Sequence, residues 1–274
     1  MSDPAVIAHR CFAGVAPENT VGAALEALER DAISMLEIDV QPGRCGTPVV
    51  FHDARLEGTR DGRSITDERG HVAETSLETI RRANVLDTTE TVPTLDVFLE
   101  TLPSTAGVNV ELKRPGNTSL RVGESLPADE LEDRQTLWEP FVSRVVDVCA
   151  DFRGELLFSS FCEGAIAALR EVEPRYAAAP LVWHSLEDGL DIARRYDCEA
   201  IHPPRNAVRG TGLASESYLE LDGEPAVDVV EIAHDEGRAV NVWTVETWGQ
   251  FAQLAAVGVD GIIAEYPGLG SFRG

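Results

Sequence analysis

MLEIDV at residues 35–40 and VNVELK at residues 108–113 alternate apolar and polar side chains in the same sense. Residues i and i+2 of a strand share a face, so Leu36, Ile38 and Val40 point one way and Glu37 and Asp39 the other. In the second stretch Val108, Val110 and Leu112 share one face, while Asn109, Glu111 and Lys113 share its opposite. Either stretch alone reads as an antiparallel strand with its polar side in water. The same pattern in two separate units points instead to strands whose apolar faces meet outer helices. Their carboxylates then enter the interior of a barrel, near the C-terminal strand ends where barrel enzymes keep their catalytic groups.

The rest of the chain fits that frame. Short runs rich in Val, Ile and Leu alternate with helical patterns, the mark of βα units around a parallel sheet. Eight strands are expected: Val6–His9, Met35–Val40, Val108–Lys113, Leu156–Ser160, Ala179–Trp183, Ala200–His202, Ala239–Val245 and Gly261–Ala264. The fold class is α/β, an eight-stranded (β/α)8 TIM barrel with one domain over residues 1–274. The first helix, VGAALEALERD, is capped by Asn19 or Thr20, and the last, TWGQFAQLAAVG, ends at Gly258. Excursions at about 53–93 and 114–136 follow strands, which puts both on the active-site face.

The chain has 274 residues, 43% hydrophobic and 26% charged, with a net charge of −24 and an isoelectric point near 4.5. Such acidity argues against nucleic acid and anionic membrane as partners, because both are polyanions. It suggests a cytoplasm of high salt, where repulsion is screened. No apolar run approaches the roughly 20 residues that span a bilayer, and MSDPAVIAHR does not read as a signal peptide, so a cytoplasmic protein is expected. Cys11, Cys45, Cys149, Cys162 and Cys198 are odd in number and form no C-x-x-C pair, which argues against a disulfide framework or a zinc knuckle.

Glu37, Asp39 and Glu111 converge on one point. Two like charges about 4 Å apart repel by about 4 kcal/mol at an effective dielectric near 20, so three carboxylates call for cations. Lys113, the single lysine among 23 basic residues, compensates one charge. A hard divalent ion with oxygen ligands, Mg²⁺ or Ca²⁺, with Mn²⁺ as a further possibility, supplies the remainder. His9 and His52 sit at strand or segment ends close to this cluster and suit an acid/base pair, because imidazole gives and takes protons near neutral pH. Arg10, a planar fork, and Lys113, a point charge, suit a phosphate-bearing substrate, although Arg10 has Glu18 and the cluster carboxylates as competing partners. His202, at a strand end, is a weaker candidate. Trp243 and Phe161 sit at strand ends where they can floor an apolar part of the pocket, with core packing as the competing reading for Phe161.

These residues resemble the glycerophosphodiester phosphodiesterases of the phosphatidylinositol-phospholipase-C-like barrel superfamily. The matching motifs run in order over nearly the whole chain: IAHR with APENT, LEIDV, PVVFHD, VNVELK, FSSF, VNVWTV and GVDGIIAEYP. The resemblance implies divalent-metal-dependent hydrolysis of small-molecule glycerophosphodiesters to glycerol phosphate and an alcohol. It implies metal on Glu37, Asp39 and Glu111, acid/base roles for His9 and His52, and phosphate contacts from Arg10 and Lys113. Competing readings are a lysophospholipase-D-like or phospholipase-C-like activity on lipid, and a non-catalytic glycerol-phosphate-binding homologue. Cys11 replaces the family Gly, and its side chain is expected to intrude on the phosphate site. Gly43 and Cys45 replace Thr and Asp, Glu265 replaces Asp, and Glu246 replaces Asn.

Overall fold

A computed structural model describes residues 3–30, 33–116, 118–216, 218–219 and 227–271. In chain order the strands are β1 Ala5–Ala8, β2 Met35–Pro42, β3 Pro48–Val50, β4 Thr59–Arg60, β5 Arg63–Ser64, β6 Val108–Leu112, β7 Leu156–Ser160, β8 Ala177–Pro180, β9 Ala200–Ile201, β10 Ala239–Val245 and β11 Gly261–Ala264. The helices are α1 Val21–Glu29, α2 Leu77–Arg82, α3 Leu95–Thr101, α4 Ala128–Cys149, α5 Glu163–Val172, α6 Leu186–Arg195, α7 Val229–Asp235 and α8 Trp248–Ala256.

Eight parallel strands run in the order β8-β7-β6-β2-β1-β11-β10-β9, and β3 adds antiparallel to β2. The two ends of this series meet through a parallel bridge between Leu181 and His202, where Val182 N donates to His202 O and His202 N to Pro180 O, each at 3.0 Å. The result is the nearly closed barrel that the alternation in MLEIDV and VNVELK requires. β2 and β6 are in register Leu36↔Val108, Glu37↔Asn109, Ile38↔Val110 and Asp39↔Glu111. Because a parallel pair presents matched residues on the same side, Asp39 and Glu111 become neighbours on one face.

Leu36, Ile38, Val40, Val108, Val110 and Leu112 are buried outward, in one cluster with Ala23, Ala24 and Ala27 of α1, Phe98 of α3, and Phe141 and Val145 of α4. The lower barrel interior is a smaller cluster of Ile7, Met35, Leu157, Ala179, Ala200 and Ile263. Leu56, Ile65, Ile80 and Val85 of the first excursion form a third cluster with Val49 and Phe51. That excursion therefore packs around apolar side chains of its own.

Four strands end earlier than expected, β6 by one residue at Leu112. β1 stops at Ala8 because the chain turns through Arg10, Cys11 and Phe12 at φ of 46, 64 and 65°. β8 ends at Pro180, and β9 at Ile201, just before the closing bridge at His202. Thr20, not Asn19, caps α1 by accepting from Ala23 N. The second excursion is shorter than expected, since α4 begins at Ala128. Asp31, in the expected first helix, and Asn117, in this excursion, lie outside the described residues.

Candidate active site

The C-terminal strand ends open into a cavity of about 650 Å³, lined by His9, Arg10, Glu37, His52, Glu111 and Lys113 on one side and by Phe161, Trp183, Tyr218 and Trp243 on the other. β2 and β6 position the acidic cluster. Glu37, Asp39 and Glu111 are buried, and one oxygen from each lies within 4.8 Å of the others. Among the described residues Glu37 Oε1 accepts no hydrogen bond, while Asp39 Oδ1 and Glu111 Oε1 face the Lys113 ammonium at 3.4 and 2.7 Å.

Burial, then repulsion from Asp39 and Glu111, pushes the Glu37 carboxyl well above the usual carboxylate range, although Arg10 N donates to its Oε2 at 2.8 Å. Burial also works to raise Asp39, but Lys113, His52, Arg10 and a hydrogen bond from Asn19 prevail and hold it well below its ordinary value. With all three ionised, the carboxylates exceed the charges of Arg10 and Lys113 by one. Buried oxygens without adequate partners, one carboxyl driven toward protonation and an excess negative charge together fit a divalent cation.

Arg10 is both a cavity residue and part of this network. Its Nε lies 3.2 Å from Asp39 Oδ2, and its Nη1 3.5 Å from Glu18 Oε2. Asn19, freed from helix capping by a φ of 58°, bonds Asp39 twice, from Nδ2 to Oδ2 at 2.8 Å and from Asp39 N to its Oδ1 at 3.1 Å.

Each cavity histidine is backed by a carboxylate. His9 Nδ1 lies 2.5 Å from Glu265 Oε2, and His52 Nδ1 3.3 Å from Asp53 Oδ1. Burial works to raise Glu265 and Asp53, yet the histidines and neighbouring arginines hold both below their ordinary values. An ionised carboxylate only accepts, so Nδ1 carries the proton in both rings and Nε2 is left for chemistry. Burial pushes His52 below its ordinary value against the pull of Asp39, which favours the neutral ring. Gln41, at the end of β2, steadies the segment by donating to Phe51 O at 2.7 Å and Asp53 O at 2.8 Å.

The opposite wall is aromatic. Phe161 meets Trp183 and Trp243 edge-on, with centroids 5.2 and 5.4 Å away, and the Lys113 ammonium lies 5.7 Å from the Phe161 centroid. Trp243 Nε1 donates to His202 O at 2.8 Å, and Tyr218 packs against the same indole. This wall contains both expected aromatics, Phe161 and Trp243, and adds Trp183 and Tyr218.

Two expectations need correction. His202 does not line the cavity: it is fully buried, its Nε2 faces Asn241 Nδ2 at 2.9 Å, and burial lowers its pKa to about 3. Cys11, expected to intrude beside a phosphate, does not line the cavity. Its left-handed backbone sends the buried side chain into the outer core, and burial followed by Glu37 and Asp39 pushes the thiol well up. The left-handed φ explains why glycine suits that position.

Sequence reasoning missed Asp53, Arg60, Asn19 and the role of Glu265. His9 and Glu265 are 256 positions apart, and only barrel closure between β1 and β11 unites them. The adjacent His-Asp of residues 52 and 53 was the available signal for Asp53.

Residues 9–269 match the family described as the glycerophosphoryl diester phosphodiesterase family. A glycerophosphodiester phosphodiesterase of Bacillus altitudinis is 26% identical over 96% of this chain and 94% of its own. A phosphodiesterase of Oleispira antarctica, solved in complex with the product sn-glycerol-3-phosphate, superimposes with a TM-score of 0.71 at 25% identity, covering 96% of this chain and 94% of that one. A glycerophosphodiester phosphodiesterase from Agrobacterium tumefaciens shares the fold, with a TM-score of 0.66 at 21% identity over 98% of this chain and all of that one.

Proposed function

The chain belongs to the glycerophosphoryl diester phosphodiesterase family and is a phosphoric diester hydrolase, and we propose that it hydrolyses water-soluble glycerophosphodiesters to glycerol phosphate and an alcohol at the cavity beside the Glu37, Asp39 and Glu111 cluster. The observation that carries this reading is the pairing, in one cavity, of two carboxylate-backed histidines with an acidic cluster that two half-buried cations do not neutralise. Glu37, Asp39 and Glu111 would hold a divalent ion, Mg²⁺, Ca²⁺ or Mn²⁺, which would supply positive charge against that of the phosphate.

Lys113 and Arg10 face the remaining phosphate oxygens, where fixed positive charge lowers the cost of the negative charge that develops at phosphorus. One histidine takes the proton of the attacking hydroxyl, from water or from the neighbouring glycerol. The other, entering as the imidazolium with a second proton on Nε2, delivers that proton to the departing alkoxide, so Nε2 is the transferring atom in both. Glu265 and Asp53 accept from Nδ1–H in both rings and so keep Nε2 toward the substrate. The aromatic wall receives the apolar surface of the substrate. The whole chain acts as one barrel domain, with its excursions forming the rim.

The binding-only alternative rested on obstruction by the Cys11 thiol, and the thiol's burial in the outer core removes its motive. The test is a panel of glycerophosphocholine, glycerophosphoethanolamine and glycerophosphoglycerol, with micellar lysolipids alongside, each in EDTA and in added Mg²⁺, Ca²⁺ or Mn²⁺. Ion-dependent release of glycerol phosphate from the soluble diesters is expected. Turnover confined to lysolipids would replace this reading with the lipid one, and inactivity throughout would sink it.

A further inference from the structure

The first excursion carries the hairpin TRDGRS. Thr59 and Arg60 pair with Ser64 and Arg63, and Asp61 and Gly62 turn between them at φ of 51 and 80°. Two positive φ values in an Asp-Gly loop make the tight hairpin whose twist matches its strands. Its base is anchored by Ile65, buried in the excursion's apolar cluster, whose N donates to Gly58 O at 3.0 Å. This places Arg60 on the cavity wall.

There its guanidinium joins two acids from different parts of the fold. Nη1 pairs with Glu18, on the segment before α1, and Nη2 lies 2.8 Å from Asp53 Oδ2. Glu18 is 4% exposed and also faces Arg10. Asp53 thus has one oxygen on His52 and the other on Arg60. A carboxylate held through both oxygens has its plane fixed, and so does the imidazole that donates to it.

Resting on the hydrolase reading above, we infer that Arg60 is a positioning residue: it locks Asp53, and through Asp53 the Nδ1–H tautomer and orientation of His52. The hairpin makes no contribution of its own to the acid/base chemistry. Without Arg60, Asp53, whose side chain is 29% exposed, is free to turn toward water. Its contact with His52, already 3.3 Å, then has nothing to hold it.

The experiment compares Arg60→Met, Arg60→Lys, Asp53→Asn and the Arg60→Met/Asp53→Asn double variant. Arg60→Met lowers kcat by about ten- to a hundredfold, as loss of an outer partner of a functional histidine does, with KM nearly unchanged. Arg60→Lys, which keeps a charge within reach of one acid, recovers part of the loss. In the double variant the two losses do not multiply, because both act through the same imidazole. Nitrogen-15 shifts of His52, assigned with His52→Gln, move from the Nδ1–H tautomer toward a mixture in Arg60→Met. Independent, multiplicative losses, or a wild-type kcat in Arg60→Met, would overturn the inference. A drop in thermal stability with unchanged His52 shifts would do the same, since it marks a merely structural arginine. The nitrogen signature needs no turnover, so a wild-type protein inactive on every diester would count against the hydrolase reading and leave Arg60 separately testable.

Discussion

Replacing Lys113 with Met should weaken the metal-free protein and strengthen its hold on a divalent ion. The ammonium lies 2.7 Å from Glu111 Oε1 and 3.4 Å from Asp39 Oδ1, on a side chain 11% exposed. At an effective dielectric of about 20, those contacts correspond to about 6 and about 5 kcal/mol of Coulomb attraction, much of it offset by the cost of removing the charges from water. Met keeps the apolar stem but leaves the carboxylates buried and unopposed. Breaking a buried pair in this way costs about 3–5 kcal/mol. For a chain of this size that corresponds to a fall in Tm of roughly 10 °C in EDTA. The same change removes a positive charge from beside the ligand oxygens, so Mg²⁺ or Ca²⁺ should raise the variant's Tm by more than it raises that of the wild type. Turnover should still fall, because the phosphate loses a contact. Lys113→Arg keeps the charge and should spare stability while reducing turnover, since a guanidinium imposes a fork where a point charge fits. Thermal unfolding followed by circular dichroism, with and without the ion, reads both effects. An unchanged Tm in EDTA, or a smaller ion-induced rise in Lys113→Met, would refute the electrostatic account.

Three further outcomes are expected. Glu265→Gln should lower kcat by about ten- to a hundredfold while calorimetric metal affinity stays at its wild-type value, because a neutral amide no longer enforces the His9 tautomer; a wild-type kcat would remove Glu265 from the site. Iodoacetamide applied to the native protein should modify Cys45, the exposed cysteine, and spare Cys11, Cys149, Cys162 and Cys198, which are buried; labelling of Cys11 before unfolding would contradict its place in the outer core. His202, neutral in the fold with a pKa lowered to about 3, is protonated in the unfolded chain below about pH 6.5. Its contribution to stability is therefore complete above that pH and lost at about 1.4 kcal/mol per pH unit as the pH falls toward 3. His202→Gln should flatten that slope in denaturant titrations, and an identical slope would show the ring to be solvated.

The barrel was legible because its signal is local. Leu36, Ile38 and Val40 against Glu37 and Asp39 state which face is outside, and the β2–β6 register then places Asp39 beside Glu111 without further information. Lys113 was legible for the same reason, since it continues the parity of Glu111. The supporting residues were not, because their partners are set by closure and by loop geometry. Glu265 reaches His9 only when β11 pairs with β1. Arg60 reaches Glu18 and Asp53 only because an Asp-Gly turn and an excursion core aim its hairpin. Cys11 and Asn19 depend on positive φ angles that residue type alone does not announce, and each angle reverses the local reading. The thiol goes to the core instead of the phosphate site, and the amide goes to Asp39 instead of the helix.

The proposed reaction is cleavage of one ester bond of a glycerophosphodiester in this cavity, with His9 and His52 as the proton-transfer pair. Phosphorus-31 NMR of a glycerophosphodiester incubated with the protein and a divalent ion tests it directly. The diester resonance should give way to that of glycerol phosphate, with no inorganic phosphate, and should persist in EDTA, with His9→Gln and with His52→Gln. Wild-type turnover retained by both histidine variants, or a diester signal that the wild type leaves untouched in every ion, would contradict it.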